Sequence, residues 1–263
     1  MPEPDLENPK PQIFLRNRMR LKRGAAMQFL KGKDDFLHQT KKRLRVPDHP
    51  ELCTWSLIAA GSEKPIVFGE SLPEEPQELI QIWRLDDWST LYTSIFAFSE
   101  EDWYRRLGQS LSDEEQELLV NITSGSQIQP RDPWGERKQE RVYVYEQVRV
   151  PFGTAHQYLR ELNWFGTQVI DHGWKRIWAA GQITAQPSTL CTLWQVPSLQ
   201  EVDATLTALL SNPATYPRYV RFLDLASELE RKIYYPLFTE KLDELIKNGD
   251  SPVVIPDLPD TTI

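Results

Sequence analysis

From Arg141 to Val150 the side chains alternate in kind, with Val142, Val144, Val148 and Val150 in one phase and Tyr143, Tyr145, Gln147 and Arg149 in the other. A period of two predicts a strand with one face under cover and Glu146 as an interruption of its apolar row. Pro151-Phe152-Gly153 then turns the chain, and Ala155, Tyr158, Leu159, Leu162, Phe165 and Val169 recur at helical spacing. Gly173 is expected to close that helix. Strands are predicted over Ile177–Thr184 and Leu190–Val196, a helix capped by Ser198 and running to about Leu210, and a last strand over Glu230–Leu237.

The same course is written once before. Met19-Arg20-Leu21-Lys22-Arg23-Gly24-Ala25-Ala26-Met27-Gln28-Phe29-Leu30 aligns without a gap on Val148 to Leu159, with Arg, Gly, Ala, Gln and Leu coinciding. Ala59-Ala60-Gly61 pairs with Ala179-Ala180-Gly181, and Gln81-Ile82-Trp83-Arg84-Leu85 with Thr192-Leu193-Trp194-Gln195-Val196. In this first copy the pattern predicts strands over Ile13–Leu21, Trp55–Ala60, Leu79–Leu85 and Glu117–Ile122, and helices over Ala25–Arg43 and Ser99–Leu107. A period this long means two copies of a small domain rather than a solenoid. The expected organisation is an N-terminal tail 1–11, a first repeat 12–129, a linker 130–140 carrying Trp134, a second repeat 141–250 and a tail 251–263, with a proline-bearing acidic loop at 62–76.

Strand, helix, strand, strand, helix, strand is the ferredoxin-like order, which covers one face of an antiparallel sheet with helices and leaves the other bare. Two bare faces in one chain are expected to close on each other. The predicted fold class is therefore α+β: two tandem ferredoxin-like repeats whose antiparallel sheets pack into an intrachain α+β barrel, with the enclosed space as the candidate site.

Composition narrows the partners. The chain has 263 residues, 40% of them hydrophobic, and a net charge of −8, enough apolar material for a core without staples and the wrong overall sign for a nucleic-acid surface. A basic stretch between Arg16 and Arg45 reads as either a solvated helix face or an RNA- or membrane-binding strip, and carries no interleaved aromatics for base stacking. Cys53 and Cys191 form neither a disulfide framework nor a zinc spacing, and are expected as buried thiols. The start, Met1-Pro2-Glu3-Pro4, lacks the basic and apolar regions of a signal peptide, so a soluble cytoplasmic protein without integral membrane contact is expected.

The turn Val150-Pro151-Phe152-Gly153, the block Leu193-Trp194-Gln195-Val196-Pro197-Ser198-Leu199 and the following Asn212-Pro213-Ala214-Thr215-Tyr216 resemble the NIPSNAP-like branch of the dimeric α+β barrel superfamily. The second copy carries the stronger match. The family's usual first-strand Arg is displaced here, with Glu146 near its place and Arg149 three residues on. Members include cofactor-free oxygenases and cyclases, haem enzymes and binding proteins. The resemblance thus implies a barrel that binds a hydrophobic small molecule, as a monomer or homodimer.

Alternation assigns the candidate lining. Tyr143, Tyr145, Gln147 and Arg149 in the second copy, and Phe14, Arg16, Arg18 and Arg20 in the first, are expected to face the cleft, together with Gln81, Trp83, Thr192 and Trp194; Ile82 and Leu193 are expected under the helices. Aromatic walls with guanidinium groups suit an apolar substrate ending in a carboxylate or carrying an enolate, whose oxyanion they would stabilise. The competing expectation is that Trp and Tyr are core and the Arg side chains are paired to acids such as Asp86, Asp87 or Glu146.

Asp171-His172 and Asp48-His49 each stand seven residues before a Trp. Such a pair is either a proton acceptor near neutral pH or a helix-end cap. Arg149, Tyr145, His172 and Asp171 are the candidate catalytic residues, and Arg16, Arg18, Arg20, Trp83, Tyr143, Gln147 and Trp194 the candidate substrate contacts. The expected activity is cofactor-independent cyclisation, isomerisation or oxygenation of a hydrophobic, anionic or enolisable molecule in specialised metabolism, with no metal. One alternative is a haem protein with His156 as axial ligand. The other is a non-catalytic scaffold using the proline-bearing tails.

Overall fold

The computed structural model describes residues 13–22, 25, 53–59, 78–85, 109–122, 142–182 and 189–236. The first repeat contributes strands β1 (Ile13–Leu21), β2 (Cys53–Ala59), β3 (Glu78–Leu85) and β4 (Leu111–Asn121). The second contributes β5 (Val142–Arg149), helix α1 (Ala155–Val169), β6 (Lys175–Gln182), β7 (Thr189–Val196), helices α2 (Leu199–Ser211) and α3 (Tyr216–Asp224), and β8 (Glu228–Pro236). The strands close into a barrel of order β1-β3-β2-β8-β5-β7-β6-β4, antiparallel throughout.

That order is one arrangement used twice. β4-β1-β3-β2 and β8-β5-β7-β6 are the same ferredoxin-like sheet, each the outer-inner-inner-outer permutation of its own strands. The repeats join where outer strands meet: β2 runs beside β8 from Leu57 opposite Pro236 to Ala59 opposite Tyr234, and β4 beside β6 from Leu119 opposite Gln182 to Asn121 opposite Ala180. Closure leaves no sheet edge for another chain to extend, and the bare faces that a lone repeat would expose become one interior.

The barrel therefore has two cores. The interior holds Phe14, Ile80, Ile82, Leu119, Tyr143, Tyr145, Trp178, Cys191, Leu193 and Tyr234. The second lies between the outer face of the second repeat and its helices, where Val144, Val148, Leu190, Trp194 and Val196 meet Tyr158, Leu162, Phe165, Val202, Leu206, Tyr219 and Phe222. Trp194 sits at its centre, with ring centroids 5.4 Å from Phe165 and 6.1 Å from Trp174. Burying each such ring is worth about 1.5–3 kcal/mol.

Local chemistry sets the helix ends. Ser198 accepts a hydrogen bond from the Glu201 amide at 3.1 Å, the N-cap expected from its position. After α1 a single turn, Ile170–His172, ends at Gly173 with φ +77°, and a Cβ there would lie 2.8 Å from Pro197 Cγ. Gly173→Ala combines a strained left-handed backbone with that clash and should cost about 1–3 kcal/mol, read as a lower denaturation midpoint at unchanged m-value.

Three sequence expectations are corrected here. β4 begins at Leu111, six residues before the predicted start, because its polar first half pairs with β1 from Leu111 opposite Leu21 onward. Helix α3 follows Asn212-Pro213, where only a connecting motif is legible. On β7 and β3 the faces are reversed: Leu193 and Ile82 point into the barrel, whereas Thr192 and Trp194 lie under the helices. Antiparallel neighbours share a face, so Leu193 opposite Tyr145 and Trp194 opposite Val144 fix the phase. The 130–140 linker with Trp134, the 62–76 loop, both tails, the first-repeat helices, His49, Asp86 and Asp87 lie outside the described residues, as do the side chains of Gln81 and Trp83.

Candidate functional site: the polar half of the barrel interior

Along β1 every second residue faces inward, and polarity grades along the barrel axis. Phe14 is fully buried among Trp178, Tyr143 and the other interior apolar residues. Arg16, Arg18 and Arg20 follow, with side-chain exposures of 0%, 8% and 43%. On β5, Tyr143, Tyr145, Gln147 and Arg149 run in the same sense, from buried to exposed. One end of the interior is thus apolar and buried, and the other is charged and partly exposed at Arg20 and Arg149.

Arg16 is the deepest cation. Its Nη1 donates to the Tyr145 hydroxyl and to Gln147 Oε1, while Nη2 lies 3.0 Å from Glu115 and 2.7 Å from Glu117. The Tyr145 hydroxyl also stands 3.2 Å from Cys191 Sγ. Burial works against the Arg16 charge, but Tyr145, Cys191 and Glu117 outweigh it and hold its pKa above the ordinary guanidinium value. Burial, with Cys191 second, pushes the Tyr145 phenol well up. Burial likewise raises the Cys191 thiol against the pull of Arg16. At neutral pH the site therefore offers a phenol as hydrogen-bond donor, a fixed cation and a protonated thiol. Of its carboxylates, Glu117 is pushed upward, chiefly by burial, with Arg16 opposing.

Nearer the charged end, Arg18 grips Glu230 with two hydrogen bonds of 3.1 and 2.6 Å and reaches Glu78 at 2.8 Å. Lys232 lies 2.9 Å from both Glu78 and Glu230, and the Tyr234 hydroxyl donates to Glu78. These contacts tie β1 and β3 of the first repeat to β8 of the second, beside the short β2–β8 ladder. Although burial pushes Glu230 up, the hydrogen bonds from Arg18 and Lys232 bring it below its ordinary value. A lowered folded-state value means that its contribution is complete above the ordinary glutamate pKa of about 4.3 and is lost as pH falls through the folded one. Glu230→Gln should flatten that acid limb in thermal melts followed from pH 6 to pH 3; an unchanged limb would remove Glu230 from the account.

The sequence-predicted residues divide cleanly. Arg16, Arg18, Tyr143, Tyr145 and Gln147 come together inside the barrel. Arg20 joins them at the charged end, 3.7 Å from Glu78. Arg149 shares their face but sits at the exposed rim, paired with Glu228 at 3.0 Å. Trp194 is removed from the site: its indole donates to Glu146 at 2.9 Å beneath the helices. Asp171 is exposed and His172 bonds Glu201 at 2.9 Å on the helix layer, so this pair is a helix-end contact. His156 is exposed on α1 and offers no imidazole to a group enclosed in either core. Cys191, Glu117, Glu78, Glu230 and Lys232 were missed as site residues. Their signal lay in strand register, since only pairing between strands distant in sequence brings Cys191 to Tyr145, Glu117 to Arg16, Glu78 and Glu230 to Arg18, and Lys232 to Glu78.

No family model and no curated protein matches the sequence. Solved structures do match. An anthrone oxidase-like protein is 11% identical over 86% of this chain and 91% of its own, with a TM-score of 0.53. A haem-binding protein from Thermus thermophilus is 11% identical over 90% and 96%, with a TM-score of 0.51. A NIPSNAP family protein from Agrobacterium tumefaciens is 21% identical over 38% of this chain and 90% of its own, with a TM-score of 0.31. Among the described residues, no helix is long and apolar enough to cross a membrane. The chain has the dimeric α+β-barrel fold, built here from two ferredoxin-like repeats of a single polypeptide.

Proposed function

We propose that this protein is a small-molecule-binding barrel of the cytoplasm that enolises a carbonyl-bearing, largely apolar substrate without a cofactor, as an isomerase or cyclase of specialised metabolism. The observation that carries the reading is the buried Arg16–Tyr145 pair beside Glu117, set between the apolar part of the interior and its charged end, where Arg20 is partly exposed. A substrate carbonyl oxygen placed at Arg16 and the Tyr145 hydroxyl meets two donors already fixed by Gln147, Cys191 and Glu115. Donors aimed at a developing oxyanion in a dry site act mainly on the transition state. Glu117, raised by burial, is the carboxylate suited to take the proton from the carbon next to the carbonyl. The C–H electron pair becomes the carbon–carbon double bond of the enolate as the carbonyl π pair moves to the oxygen; in a β,γ-unsaturated substrate, return of the proton from Glu117 to the γ carbon then gives the conjugated isomer with no oxidant.

Native mass spectrometry of the protein purified from a cell extract tests this directly. Wild type should retain a small molecule that Arg16→Met loses, with both proteins showing the same circular dichroism. Equal retention by the two would remove Arg16 from the site. For the chemistry, Glu117→Gln should lower turnover of the retained substrate about 100- to 10,000-fold with little change in KM.

A further inference from the structure

The interior charges cancel one another. Arg16 meets Glu115 and Glu117, Arg18 meets Glu78 and Glu230, and Lys232 meets the same two carboxylates. Arg20 adds its charge 3.7 Å from Glu78. Every one of these cations already has a carboxylate within 4 Å. A carboxylate ligand entering this end would face Glu78, Glu115, Glu117 and Glu230 at close range, and would have to displace one of them to reach a guanidinium. With cations and carboxylates balanced, an anion finds no net attraction here to offset the hydration it gives up on entering. The arginine row that reads in the sequence as an anion clamp is, in the folded chain, neutralised from within.

Among the described residues, the buried donors without a hydrogen-bond partner include two in this interior besides Arg18 Nε, which lies against Glu78. Trp178 is fully buried in the interior, its ring 5.7 Å from Phe14, and its indole Nε1–H has no hydrogen-bond partner. The Arg16 Nε–H, also fully buried, has none either. A buried donor left unpaired has lost its water without gaining an acceptor, so such groups in a folded protein call for an explanation. Both belong to the same enclosed space, one on β6 and one on β1, and both ask for a lone pair rather than a charge.

We infer that the barrel selects an uncharged ligand bearing hydrogen-bond-acceptor oxygens, which accept from Trp178 Nε1–H and the Arg16 and Tyr145 donors, and that it rejects the carboxylate form of the same molecule. This rests on the proposed binding site and specifies its ligand class. The ionic lattice acts as a charge filter at the charged end, while the orphan donors reward a neutral carbonyl, lactone or ether oxygen deeper in.

Coumarin and coumarin-3-carboxylate, a matched pair differing by one charge, serve as probes in titrations of the full chain at neutral pH. Coumarin should bind at least tenfold more tightly than the carboxylate. Trp178→Phe, which keeps most of the ring and removes the donor, should weaken coumarin about fivefold, and Glu115→Gln, which unmasks part of the Arg16 charge, should narrow the preference severalfold. Equal or tighter binding of the carboxylate overturns the charge filter while leaving small-molecule binding intact. Unchanged coumarin affinity in Trp178→Phe overturns the donor assignment. Binding of neither probe contradicts both this inference and the binding site on which it rests.

Discussion

Arg231→Met should destabilise the fold by about 3–5 kcal/mol, the largest effect expected of any single substitution at a described ion pair. Glu146 is almost fully buried beneath the helices, where it accepts from Arg231 Nε at 2.7 Å, Thr192 at 3.0 Å and Trp194 at 2.9 Å. Removing the guanidinium strands a carboxylate between β5, β7 and β8, with only neutral donors left to it. The cost is mainly that of the uncompensated charge, so Glu146→Leu combined with Arg231→Met should recover most of the loss. Urea denaturation of wild type, the single variant and the pair measures this. A single variant within about 1 kcal/mol of wild type would show that water reaches Glu146 and that the helix layer is looser than its packing indicates.

Tyr145→Phe should act on chemistry and spare the fold. The phenol is held neutral by burial and points its hydroxyl at Arg16, Gln147 and Cys191. Deleting one oxygen removes the donor proposed for the enolate while the ring stays in place. Turnover of the retained substrate should fall about 100- to 1,000-fold, the usual effect of losing one such donor, and stability should change by about 1 kcal/mol. If KM rose instead with kcat intact, Tyr145 would be contributing ground-state binding alone.

The second repeat was the more legible half because its local signals agree. Alternation over β5, helical spacing over α1 and Ser198 before α2 each name one element, and the structure places all three there. The interior-facing set of β1 and β5 followed from the same alternation, which is how Arg16, Arg18, Tyr145 and Gln147 could be picked out. Alternation fixes which residues share a face but not which face that is. On β7 all eight residues are buried, because both of its faces are cores, so hydrophobicity could not place Trp194. β4 failed for the opposite reason. Ser112-Asp113-Glu114-Glu115-Gln116-Glu117 has no apolar alternation to mark a strand, yet it pairs with β1, where Glu115 and Glu117 are the partners of Arg16 and Glu114 that of Asn17. The arginine row was visible in sequence; its neutralisation depended on register across the closed barrel, and that changes the expected ligand from anionic to uncharged.

Small-molecule binding is proposed for the Arg16–Tyr145 end of the interior. A crystal structure of the full chain purified after exposure to cell extract tests it most directly. Electron density for a compact molecule is expected inside the barrel, with an oxygen within hydrogen-bond distance of the Tyr145 hydroxyl and Arg16. A well-ordered interior filled entirely by the protein's own side chains, with Arg16 and Trp178 satisfied by them, would contradict it.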